Sequence, residues 1–150
     1  DVKPMYPAAL GNANILTVAS TTLDGKLEPY SNFGARSVHV AAPGGDVGAG
    51  LWGPDFLGAA GAGYVRLTGT SMATPVTAGV AALVKSAYPE AGAVELKSLV
   101  MSTGVPSPAL SGVTATASVV NASLAVNAAQ RAALMAALRK GFGTGPVAQR

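Results

Sequence analysis

The chain has 150 residues, 49% hydrophobic and 11% charged, which is enough apolar material for one domain with a buried core and excludes disorder throughout. Its formal charge of +3 comes with no basic stripe interleaved with aromatics, so nucleic acid is not an expected partner. The absence of cysteine excludes disulfides and thiolate zinc sites.

Asp1 to Gly11 reads as a loop of proline and small residues. Ile15-Leu16-Thr17-Val18-Ala19 is a short apolar run, the pattern of a strand covered on both faces. Asp24-Gly25 signals a turn, and Tyr30 to Gly34 continues the connection. Val38 to Ala42 predicts a second strand, stopped by Pro43-Gly44-Gly45. Asp46 to Tyr64 reads as a Gly/Ala-rich loop carrying the sole tryptophan, Trp52. Tyr64 to Leu67 predicts a short strand. From Thr70 to Ala87 the chain is apolar nearly all round at helical spacing, which predicts a core helix. Within it Gly79 costs about 1 kcal/mol against alanine, so a close neighbour is expected there. Tyr88-Pro89 ends that helix, Val94 to Ser102 predicts another, and Thr103 to Pro108 breaks it. Ala128 to Arg139 predicts an alanine-rich helix, and Gly141 to Arg150 a frayed tail.

No apolar run is long enough to span a bilayer, so no membrane is expected as partner. The start, Asp1-Val2-Lys3-Pro4, has neither the basic residues nor the apolar core of a secretory signal, and no initiator methionine. A piece of something longer is the expectation.

The chemistry concentrates at Leu67-Thr68-Gly69-Thr70-Ser71-Met72-Ala73-Thr74-Pro75. Gly69 permits backbone angles that a β-carbon forbids. Thr70 or Ser71 can cap the first free amides of the helix, and Pro75 is tolerated near a helix start because it has no amide hydrogen. Ser71 is thereby placed at a helix N-terminus, where free amides and the dipole favour negative charge beside its hydroxyl. From position alone, a plain cap and a nucleophile both fit.

Gly69-Thr70-Ser71-Met72-Ala73-Thr74-Pro75, followed by Ala78-Gly79-Val80-Ala81-Ala82-Leu83, resembles the nucleophile motif of the subtilisin-like serine peptidases, the subtilases. Further landmarks are similar and in order: Tyr6-Pro7-Ala8, Asn14 to Ala19, Ser31-Asn32-Phe33-Gly34, Val40 to Gly44, Tyr88-Pro89 and Val120-Asn121-Ala122. The resemblance implies a subtilisin-like three-layer α/β/α fold with a mostly parallel sheet, of which this chain holds only the C-terminal part. Residues 1–126 would belong to that peptidase domain, and 127–150 would form a helical extension and tail.

The resemblance further implies that Ser71 is the catalytic nucleophile, that its own amide is one oxyanion donor, and that Thr70 supports the oxyanion. Met5, Tyr6, Pro7 and Ala8 become candidates for the substrate pocket wall. In the family the triad runs Asp, His, Ser along the chain, and an Asn completes the oxyanion hole. The first two and the Asn would all lie before residue 1. His39, the sole histidine, lies on the wrong kind of element for the family base and reads as a polar residue at a strand edge. Several family members carry an Asp at that place, beside a weak cation site formed with carbonyls of the loop after Tyr-Pro. A histidine there puts the site in doubt, so no cofactor is expected of this chain, although the full-length protein could bind calcium. Val76-Thr77 also stands where the family usually has His-Val, a change that bears on packing.

Two readings follow. In one, the chain joined to its missing N-terminal part is a serine endopeptidase acting on polypeptides through an acyl-enzyme, secreted as most relatives are, and inactive alone. In the other it is a non-catalytic subtilase-like structural or binding module. An acyl hydrolase of the Gly-x-Ser-x-Gly type is disfavoured, because no histidine follows Ser71. Half a parallel sheet leaves an edge unpaired, so the chain alone is expected to be poorly soluble or partly molten. A sharp cooperative melt would refute that.

Overall fold

The computed structural model describes residue 1 and residues 3–55 and 63–141. The tail expected over 142–150 lies outside the described residues, as does part of the loop after Asp46.

Strand β1 is Val18–Thr21 and β2 is Val40–Pro43. Both are almost wholly buried, which is why their residues are apolar or small rather than alternating. They pair in parallel, with Val18 opposite Val40 and Ala19 opposite Ala41. Two short strands complete this sheet, β5 at Val105–Pro106 and β6 at Ser118–Val119, in the order β1-β2-β6-β5. β6 runs parallel to β2, while β5 pairs antiparallel with β6. The strands start two to three residues later than the apolar runs suggested, because Ile15, Leu16 and Thr17 form the approach to the sheet.

The expected loop over Asp46 to Tyr64 is corrected in part. Leu51–Pro54 forms β3, which pairs antiparallel with β4, Tyr64–Leu67. Trp52 faces Arg66 across this hairpin, and the guanidinium sits 4.6 Å over the indole ring. A cation over an aromatic face gains about 0.5–1 kcal/mol at an exposed site.

Helix α1 spans Thr70–Ala87, α2 Ala93–Ser102 and α3 Ala122–Gly141. α1 packs on β1 and β2 and against both other helices. Val80 and Val84 of α1 meet Val100 of α2 and Ala125 and Ala129 of α3 in one cluster. Ala19, Val38, Ala41 and Leu110 form a second. Small residues at the α3 contact let the helices approach closely. The alanine-rich segment is one helix continuous with Ala122, across the boundary drawn at residue 126.

α1 is not buried all round. Ala73, Thr77, Val80 and Val84 are buried, but Val76 and Leu83 are exposed, Leu83 by 52%. Gly79 also faces open space, with nothing within 4 Å of where a Cβ would stand, so no close neighbour accounts for it among the described residues. No helix among the described residues is long and apolar enough to cross a membrane.

Candidate active site

The site sits where β2 ends and α1 begins. Pro43 stops β2, and Gly44 and Gly45 turn the chain, Gly45 with φ 88°. The Gly44 carbonyl accepts the Gly69 N–H at 2.9 Å, which fastens the start of α1 to the carboxyl end of the strand. A Cβ on Gly44 would collide with Ser20 Oγ and lie 2.6 Å from the Gly69 carbonyl oxygen. Gly69 has φ 151° and ψ 162°, a region open essentially to glycine alone. Tyr30 supports the same turn, donating its hydroxyl to the Gly45 carbonyl at 2.7 Å.

Gly69 is the residue before the helix, and its carbonyl accepts the amides of Met72 and Ala73. The expectation that Thr70 or Ser71 caps the helix is therefore corrected: no side chain caps it, because both residues already lie in the first turn. Among the described residues the amides of Thr70 and Ser71 have no acceptor, and the Ser71 hydroxyl, exposed, has no hydrogen-bond partner. Two free N–H groups and a free hydroxyl thus stand at the positive end of an 18-residue helix. Pro75 lies deeper than expected, in the second turn. It removes the amide that would have bonded the Ser71 carbonyl four residues back.

Thr70, Ser71 and Thr74 line a cavity of about 300 Å³. Its other walls include Met5 and Ala8, so the structure brings two of the four candidate wall residues to the serine. Tyr6 and Pro7 are exposed and do not line it. They carry the hydrogen-bonded turn, Ala9 N to Met5 O at 2.8 Å and Leu10 N to Pro7 O at 3.0 Å, that presents the other two. Asn32 and Phe33 also line the cavity and were read from sequence only as landmarks. The available signal was a large aromatic within the turn-rich Ser31-Asn32-Phe33-Gly34, and in the structure Phe33 is 61% exposed. A second cavity, about 460 Å³, shares Asp1, Lys3, Asn32 and Phe33 with the first and extends it into a groove.

Asp1 is fixed in that groove. Its carboxylate accepts Ser37 Oγ at 2.6 Å and the Ser37 amide at 3.0 Å. Its backbone nitrogen donates to the Phe33 carbonyl at 3.3 Å.

His39 is half-buried just before β2, between buried Val38 and Val40, and does not line the cavity. Its Nδ1 accepts the Thr17 amide at 2.9 Å, and Nε2 lies 2.8 Å from Lys97 Nζ. Burial, and then the positive charge of Lys97 when that amine is protonated, lower its pKa from the ordinary value of 6.5. Burial lowers that of Lys97 as well.

Residues 2–145 match the sequence profile described as the subtilase family. The chain belongs to the subtilase family. This subtilase is 41% identical over 121 residues to an extracellular protease of Xanthomonas campestris pv. campestris, which covers 78% of the chain and 20% of that protein. It is 43% identical over 90 residues to an extracellular basic protease of Dichelobacter nodosus, covering 58% of the chain and 14% of the relative. Among solved structures it matches a protease from Pseudoalteromonas arctica with a TM-score of 0.69 at 33% identity, over 83% of this chain and 38% of that one. The chain spans between 6% and 21% of the length of the curated relatives it matches. The subtilisin-like α/β fold and the family read from the sequence are thus shown, and with them a serine peptidase ancestry.

Proposed function

We propose that this subtilase supplies the nucleophile, Ser71, of a serine endopeptidase. The observation that carries the reading is the Ser71 hydroxyl, free among the described residues, beside two amides likewise unbonded, in the lining of a cavity that Met5 and Ala8 help to wall. Ser71 Oγ attacks the scissile carbonyl of a polypeptide and forms a tetrahedral adduct. The adduct's oxygen develops negative charge next to the Ser71 amide, where the helix end stabilises it, and Thr70 supports the same region. Collapse expels the amine, protonated by the base that took the Ser71 proton, and leaves an acyl group on Ser71, which water then hydrolyses to the acid, restoring the hydroxyl.

A serine hydroxyl needs a base, and His39 cannot serve, because both its ring nitrogens are engaged away from the cavity. The base, its acid partner and an oxyanion Asn come from polypeptide outside these 150 residues, in keeping with the small share of its relatives that the chain spans. The chain alone is inactive. The extracellular names of the relatives support secretion.

A fluorophosphonate probe tests the reading. The whole gene product labels at Ser71, the 150-residue chain does not, and Ser71→Ala lowers kcat on the order of a million-fold. An unlabelled whole gene product would favour a non-catalytic binding module. Strong labelling of the short chain would mean that it holds its own base.

A further inference from the structure

The segment after the Met5–Ala8 turn is fastened by a side chain from α2. Lys97 Nζ lies 2.6 Å from the Ile15 carbonyl and 2.8 Å from His39 Nε2. On the other side of the ring, Nδ1 accepts the Thr17 amide at 2.9 Å. Thr17 Oγ1 in turn donates to the Ala8 carbonyl at 2.7 Å. One hydrogen-bond chain therefore runs from α2 to the wall of the Ser71 cavity.

The protonation states follow from the partners. A neutral imidazole has one acceptor nitrogen and one donor nitrogen. Nδ1 accepts a backbone N–H, so the ring proton is on Nε2 and points at Lys97. An ammonium there would set two donors against each other. The contact closes when Lys97 is an uncharged amine that accepts from Nε2–H and donates to Ile15. Burial disfavours the charged form of each group, and a charge on Lys97 would lower the His39 pKa further, so the two groups resist being charged together.

Calcium does not fit this place. It takes about six to eight oxygen ligands. Here one carbonyl oxygen and one ring nitrogen both face the Lys97 amine, and among the described residues no three carboxylate or imidazole side chains gather to hold a metal.

We propose that the Lys97 amine takes the place of a metal ion, tying the Ile15–Thr17 segment to α2 and so holding the Ala8 wall of the cleft. Lys97 is a positioning residue, since it does not line the cavity.

Amide hydrogen exchange of the whole gene product tests this, with α3 as the internal reference, and does not depend on Ser71 chemistry. Exchange of the peptide over 14–18 is the same in EDTA and in millimolar calcium. Lys97→Met speeds it about tenfold while α3 is unchanged. Lys97→Arg speeds it equally, because a guanidinium is always charged and has no lone pair to accept the ring proton. Protection by calcium, unaltered exchange in Lys97→Met, or rescue by Lys97→Arg would each overturn the proposal. The calcium arm needs no variant, so it decides even where Lys97→Met does not fold.

Discussion

The first turn of α1 and the middle of the same helix are governed by different constraints. At the first turn, backbone meets backbone: Gly69 hangs on the Gly44 carbonyl, and there is no room for a β-carbon on Gly44. In the middle, Val80 and Val84 are held by apolar area, while Val76, Gly79 and Leu83 one step around the helix touch little. The Ser71 hydroxyl is thus mounted by hydrogen bonds and steric exclusion. The helix behind it is mounted by burial, on one side only. Displacement is punished abruptly at the first and gradually at the second.

The comparison can be broken at several points, all in the whole gene product. Gly44→Ala has the largest expected effect, a destabilisation of about 3 kcal/mol in thermal unfolding, since the clashing atom is a backbone oxygen that cannot swing aside. Fluorophosphonate labelling at Ser71 is lost with it. Full labelling of that variant would mean that the turn yields more easily than its packing implies. Val84→Ala comes next, at about 2 kcal/mol in denaturant unfolding with labelling retained, because Val84 is fully buried but distant in sequence from the turn. If it abolished labelling, the two regions would not be separable.

Gly79→Ala is expected to stabilise by about 0.5–1 kcal/mol, the ordinary helix preference, because open space surrounds the site. A loss instead would place a neighbour against Gly79 in the whole gene product. The smallest effect concerns acid. The His39 pKa is lowered by burial and then by Lys97, so the unfolded chain takes up a proton near 6.5 that the folded ring resists. Stability therefore falls as pH drops below 6.5, and His39→Gln flattens that part of the profile. Glu28, whose carboxyl burial pushes up, acts oppositely: it favours the fold as pH falls toward 4.5. The difference between parent and variant isolates the histidine, and parallel urea-midpoint profiles would rule its contribution out.

What could be read from sequence followed this same division. α1 was readable to its last residue because apolar spacing and the Tyr88-Pro89 stop agree. β3 was not, because Leu51-Trp52-Gly53-Pro54 has no alternation, contains both strand breakers, and pairs with a segment ten residues further on. The cap was misread because Thr70 and Ser71 are good capping residues by type, whereas the backbone angles at Gly69 decide where the helix begins. Of the residues named by landmark, Met5 and Ala8 line the cavity and Tyr6 and Pro7 do not, because contiguous residues in a turn face different ways. The Lys97–His39 contact joins residues 58 apart, and nothing local to either one announces the other.

The hairpin has a practical consequence. Trp52 is the sole tryptophan, it is 64% exposed, and among the described residues it leans on the Arg66 guanidinium. Indole fluorescence from this chain therefore reports the β3–β4 hairpin and little else. Its emission colour is already that of a hydrated ring, so melting of the helical cluster leaves the wavelength in place and changes intensity only when the arginine departs. Circular dichroism of α1 and α3, not tryptophan emission, is the spectroscopic handle on the scaffold that carries Ser71.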